Sequence, residues 1–254
     1  LPTSTKPSES VRIASEIFHS LGALLKEKNL STLVGDEGGY SPSLSSNEEV
    51  FGIIIESAKK LGYENNREYN LAIDAAATEF YHDGIYEFKK TNKKLLGKEL
   101  IEYYLSLKEK YNLISFEDPF AEDDWENFRL FTEKISRHSG EERSDDSRIT
   151  LVVGDDLFVT NTKRIEKGIQ QKAANSVLIK LNQIGTVSKT ADAINITKKA
   201  GWKTIISHRS GETEDPFIAD LAYGSGADFI KTGSMSRSER LAKYNRLLEI
   251  ENQL

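Results

Sequence analysis

Six apolar runs punctuate this chain, and each leads into a residue with chemistry to offer. They are LAIDAA from Leu71, LISFEDP from Leu113, ITLVVGDD from Ile149, SVLIKLN from Ser176, TIISHRS from Thr204 and DFIKTGS from Asp228. Their polar markers are Asp74, Glu117, Asp155, Lys180, His208 and Lys231. Successive markers stand 23 to 43 residues apart, bracketing the roughly 30 residues that a strand–helix–strand unit takes. The runs are continuously apolar rather than alternating, as expected of strands buried on both faces of a parallel sheet. Helical periodicity fills the gaps, near 94–110, 124–137, 162–173, 186–200, 216–223 and 237–251.

A closed (β/α) barrel and an open doubly wound sheet both satisfy this pattern. An open sheet concentrates its functional residues at the switch point, whereas a barrel carries every strand end to one mouth. All six runs end on a charged or ionisable side chain, so the pattern favours a TIM-type (β/α) barrel. Two further helices precede the first run. One opens at Pro7 and Ser8 and places Val11, Ala14, Phe18, Leu21 and Leu25 at helical spacing; the other runs from about Asn47 to Leu61. Between them lies STLVGDEGGYSP, a short apolar piece broken by glycines and a proline. No linker divides the chain, and the charged stretch GEERSDDSR at 140–148 reads as a solvated loop.

Composition removes several function classes. The net charge of −6 disfavours nucleic acid as the default partner, because phosphate neutralisation needs a basic surface. With no cysteine there is neither a disulfide framework nor a thiolate metal site. No apolar run approaches the ~20 residues of a membrane span. LPTSTKPSES is not a signal peptide, and the chain does not begin with methionine, which predicts a processed start or a piece of a longer protein.

Taken singly, an acid after a strand is most often a turn residue or a helix cap, and Asp156 reads as such a cap. Three acids on consecutive strand ends (Asp74, Glu117, Asp155) are harder to dismiss, and hard oxygen ligands suit a divalent cation such as Mg²⁺. Lys180 follows Val177, Leu178 and Ile179 in a run that reads as buried. A lysine there is costly unless it is paired or functional, although it could also snorkel at a rim. Lys231 has the same form. Beside a cation, a lysine suits proton abstraction next to a carboxylate. In SHRSGETED, His208, Arg209 and Ser210 precede Gly211, a combination that suits an anion but equally makes a polar loop. GDEGG puts Asp36 and Glu37 in a glycine-flanked turn. GSGAD lacks a phosphate-loop pattern, His19 lies on a helix and reads as structural or exposed, His82 and His138 lack partners at metal spacing, and Trp125 and Trp202 read as packing residues.

VGDEGG, DAAATEFY, SFEDPF, VVGDDLFVTN, LIKLNQIG, SHRSGETED, IKTGSMSRSERLAKYN and LLEIE together resemble segments of the enolase family, in the same order and over essentially the whole chain. The resemblance implies the C-terminal barrel domain over 1–254 and a lyase of glycolysis, the Mg²⁺-dependent dehydration of 2-phosphoglycerate to phosphoenolpyruvate. It implies Asp74, Glu117 and Asp155 as Mg²⁺ ligands, Lys180 as the base at C2, and Glu37 as the acid at the 3-hydroxyl. Arg209 and Ser210 would contact the phosphate, Lys231 the substrate carboxylate, and His208 would lie beside the reacting hydroxyl. A cytoplasmic location follows, with a cell-surface or secreted pool as in some relatives, and a homodimer or larger assembly for full-length members.

Enolases carry an N-terminal α+β domain before a barrel that opens with two strands, two helices and six strand–helix units. Only the two helices and six units are recognisable here, so the sequence predicts a barrel incomplete at its N-terminal strands. The lid serine, a lid histidine and a glutamate partner of Glu37 would be missing as well. The expectation is a fragment with little activity of its own. A different enolase-superfamily reaction on a non-phosphorylated carboxylate, and a non-catalytic scaffold role, are the rival readings. SHRSGETED and GDEGG argue against the first of these.

Overall fold

The computed structural model describes residues 1–138 and 149–253; the charged stretch 140–148 lies outside the described residues. The elements in chain order are α1 (Pro7–Glu27), α2 (Asn47–Lys59), β1 (Leu71–Asp74), β2 (Tyr81–His82), β3 (Ile85–Phe88), β4 (Lys93–Leu96), α3 (Gly97–Tyr111), β5 (Leu113–Glu117) and α4 (Trp125–His138). They continue with β6 (Leu151–Gly154), α5 (Thr162–Gln171), β7 (Ser176–Ile179), α6 (Leu181–Ile184), α7 (Val187–Lys199), β8 (Lys203–Ser207), α8 (Phe217–Gly224), β9 (Phe229–Lys231) and α9 (Ser238–Glu251).

All six predicted runs become strands, and they form one sheet in the order β1-β5-β6-β7-β8-β9. β5, β6, β7 and β8 pair in parallel, with Phe116 opposite Val152, Val153 opposite Ser176 and Val177 opposite Thr204. Every residue of β6 and β7 is buried, which explains why their sequences do not alternate. Sequential strand order with intervening helices is the TIM-type α/β barrel topology, and six strands leave it short of the eight that close a barrel.

The helices start where local chemistry dictates. Proline at the first turn opens α1, where its missing N–H costs nothing. Side chains cap α2, α5 and α7: Ser46 accepts from Glu49 N, Asn161 from Lys163 N and Arg164 N, and Thr186 from Lys189 N. The helix expected from about residue 94 begins at Gly97, because Lys93–Leu96 is a strand. That strand belongs to a second, antiparallel sheet, β2-β3-β4, which the periodicity did not suggest.

Two compact units divide the chain. The first comprises Leu1–Leu71, Ser207–Gly226 and Ile230–Leu254; the second comprises Ala72–Ile206 and Ala227–Phe229. In the first, Leu24, Leu25 and Ile53 form a core flanked by Leu21, Leu30, Tyr40 and Leu44. In the second, Leu151, Val153, Leu178 and Ile205 pack with Phe229. A separate aromatic cluster joins Tyr104, Phe116, Phe120 and Phe131, with ring centroids 5.2 to 6.0 Å apart. Each such fully buried ring contributes on the order of 1.5–3 kcal/mol. Trp125 and Trp202 do pack, both against Phe158. Among the described residues no helix is long and apolar enough to cross a membrane.

Candidate functional site

In the second unit the site is built on strand ends. Asp74 and Glu117 are the last residues of β1 and β5, while Asp155 and Lys180 directly follow β6 and β7. The Ala75 N–H donates to the Glu117 carbonyl at 3.0 Å, tying the end of β1 to the end of β5. Lys180 Nζ pairs with Asp155 Oδ2, and both side chains are largely buried. The predicted cost of a lysine in this place is thus met by a carboxylate. The other Asp155 oxygen, Oδ1, is buried and has no hydrogen-bond partner among the described residues. A buried carboxylate oxygen without a donor is an unmet demand for positive charge.

Asp118, which sequence reasoning passed over, is the centre of this cluster. It is 4% exposed, and its carboxylate accepts from Asp155 N at 2.9 Å and Asp156 N at 2.7 Å. Burial pushes its carboxyl well above the ordinary value, while the two backbone donors pull the other way. Carboxylate oxygens of Asp118, Asp155 and Asp156 lie within 4.8 Å of one another. Asp156, expected to be only a cap, is raised by burial first and then by Asp155, with Lys180 opposing and Asp74 adding to the rise. Such an all-oxygen, net negative cluster fits a hard divalent cation. Both Asp118 oxygens already accept from amides, so Asp118 serves this cluster better as an anchor than as a ligand. Thr160 was also missed. It is fully buried at φ +54, rare for a β-branched residue, and its hydroxyl accepts from Lys180 N at 2.9 Å and donates to Gln183 at 2.8 Å.

In the first unit, Glu37 faces His208, with Nε2 to Oε2 at 3.4 Å. The ring is 2% exposed and its Nε2 lacks an aligned hydrogen bond, so the contact with the Glu37 carboxylate is longer than a full hydrogen bond. The His208 ring beside it, with Lys231 and Arg240 adding to the effect, holds the Glu37 carboxyl down to about 2. Glu37 is therefore a carboxylate here. The His208 N–H donates to the Lys231 carbonyl at 2.9 Å, bringing together the ends of β8 and β9. Arg209 and Ser210 follow on an exposed loop, where Arg209 N donates to Glu212.

The residue that unites this cluster, Arg240 of α9, carries no sequence signal beyond a charge in an ordinary helix. It is 1% exposed, and its guanidinium donates to the carbonyls of Asp36, Arg209 and Ser210 at 2.8, 2.7 and 2.6 Å and to His208 Nδ1 at 2.8 Å. Its distance in sequence from these partners, most of them main-chain carbonyls, concealed it.

The geometry thus comprises a carboxylate–lysine cluster on strand ends and a Glu–His–Arg cluster drawn from the α1–α2 connection, the loop after β8 and helix α9. The family model described as enolase, C-terminal TIM barrel domain, matches residues 1–254. The chain belongs to the enolase family, as its C-terminal barrel domain.

Proposed function

We propose that this domain serves the Mg²⁺-dependent dehydration of 2-phosphoglycerate to phosphoenolpyruvate, a lyase reaction. The observation that carries this is the Lys180–Asp155 pair beside the unpartnered buried Asp155 Oδ1, a cation-demanding carboxylate next to a candidate base. Asp74, Glu117 and Asp155 would hold the Mg²⁺, with Asp118 fixing the backbone that presents Asp155. The ion would supply positive charge where the carboxylate of the substrate gains electron density.

Lys180 takes the proton from C2, and for that its nitrogen must first be free of its own extra proton. The C2–H electron pair passes first into the substrate carboxylate as an enediolate, and then forms the C2=C3 bond as the C3–O bond breaks and the 3-hydroxyl departs. Glu37 protonates that hydroxyl, so water leaves in place of hydroxide. Glu37 is a carboxylate in this structure, so the acid role requires its surroundings to change; the phosphate and carboxylate charges of a bound substrate act in that direction. Arg209 and Ser210 would hold the phosphate, Lys231 the substrate carboxylate, and His208 would sit by the 3-hydroxyl.

The two half-reactions can be tested separately. Incubating 2-phosphoglycerate in D₂O with the domain and Mg²⁺, and following the C2 proton by NMR, reports on Lys180 alone. We expect Mg²⁺-dependent exchange that disappears in Lys180→Ala. Absence of exchange together with absence of phosphoenolpyruvate binding would rule the assignment out.

A further inference from the structure

We propose that Arg240 is a positioning residue for this reaction, fixing His208 in the tautomer that carries its proton on Nε2, facing Glu37. This rests on the roles given above to His208 and Glu37. Guanidinium groups donate and never accept. Arg240 Nη1 lies 2.8 Å from His208 Nδ1, so Nδ1 must be the acceptor and the ring proton is assigned to Nε2. Nε2 is the atom that stands 3.4 Å from the Glu37 carboxylate. A ring with the opposite tautomer would oppose N–H to N–H at Arg240 and offer Glu37 a lone pair.

The rest of the Arg240 environment points the same way. Its hydrogen bonds all go to neutral groups: three carbonyls and the imidazole. The nearest carboxylate in an ion pair with it, Glu239, stands 3.9 Å from Nε and bonds Arg237 at 2.7 Å. A buried guanidinium whose hydrogen bonds all go to neutral acceptors, with Glu239 no nearer than 3.9 Å, is expensive as a purely structural device. Here the positive charge acts on Glu37, and the fork geometry holds the backbone of Asp36, one residue from Glu37, together with that of Arg209 and Ser210. Gly233 shows how closely Arg240 is enclosed: a Cβ at that position would lie 2.6 Å from Arg240 Cδ and 2.8 Å from the Glu37 carbonyl oxygen.

The test is the nitrogen spectrum of the histidine rings in the ¹⁵N-labelled domain, without substrate. His208 is identified by the signals lost in His208→Gln. In the wild type near neutral pH we expect a single tautomer with Nε2 protonated and Nδ1 bare. In Arg240→Lys, which keeps the charge but loses the planar fork, we expect those two signals to move toward an averaged mixture while circular dichroism shows an intact fold. A purely structural arginine would leave the ring signals of a folded lysine variant in place. A wild-type ring protonated on Nδ1, or an unchanged single tautomer in Arg240→Lys, would overturn the proposal. Because the wild-type spectrum can itself decide against it, the proposal stays open to refutation even if the variant fails to fold. If the spectra come out as expected and neither C2 exchange nor phosphoenolpyruvate binding is seen, the dehydration assignment fails while the positioning by Arg240 stands.

Discussion

Glu37 and Asp118 are two carboxylates driven in opposite directions by their surroundings. Glu37 is held near 2 against an ordinary 4.5, so the stability it contributes is full above about pH 4.5 and is lost as pH falls toward 2. Urea unfolding midpoints measured from about pH 6 down to pH 2.5 should therefore fall more steeply for the wild type than for Glu37→Gln. Parallel curves would mean that His208, Lys231 and Arg240 do not act on Glu37 as described. For Asp118→Asn, one of the two amides now bonded to the carboxylate loses its acceptor and faces an NH₂ group. We expect a loss of about 1–3 kcal/mol in unfolding free energy. Mg²⁺ affinity should fall roughly 10- to 100-fold by calorimetry, as when a group behind a ligand is removed. A variant with unaltered affinity would show that Asp118 does not hold Asp155 in place.

At the scale of single elements, two glycines with the same backbone dihedral separate strain from crowding. Gly233 and Gly185 both sit at φ +90, but only Gly233 has atoms where a Cβ would go. Gly185→Ala should cost about 1 kcal/mol from backbone strain alone. Gly233→Ala should cost more, on the order of 3 kcal/mol, because Arg240 or the Glu37 carbonyl must also move. Equal thermal shifts for the two variants would remove the close approach from the account. The elements also show what a sequence makes legible. Strands buried on both faces announced themselves as unbroken apolar runs, and the helix starts expected at Pro7, near Asn47, near 162 and near 186 fall within a residue or two of those observed. The antiparallel β2-β3-β4 sheet was missed because its strands have only two to four residues, too short for a period to show. Its signal was nonetheless present. Asp83–Gly84, with φ of +49 and +87, links His82 to its partner Ile85, and an Asp-Gly pair is among the strongest short-range hairpin cues.

For the whole molecule, the sheet has six strands in sequential order where a closed barrel has eight. We therefore expect the 254-residue chain alone to dehydrate 2-phosphoglycerate far more slowly than a full-length enolase in excess Mg²⁺. Turnover equal to that of the full-length enzyme, followed as formation of phosphoenolpyruvate, would contradict this. Much of the site was legible at this scale because strand ends are sequence-local: Asp155 and Lys180 could be named from the runs that carry them. Asp118, Thr160 and Arg240 could not, because each acts on atoms 20 or more residues away, mostly through backbone groups that leave no trace in side-chain patterns.

That last property bears on how such a domain can change over time. Of the four acceptors of Arg240, three are main-chain carbonyls, at Asp36, Arg209 and Ser210. A carbonyl is the same in every residue type, so the side chains at these three positions can be exchanged without dismantling the scaffold that presents them. The loops that carry these carbonyls are therefore free to drift in side-chain chemistry, while α9 supplies a fixed frame behind them.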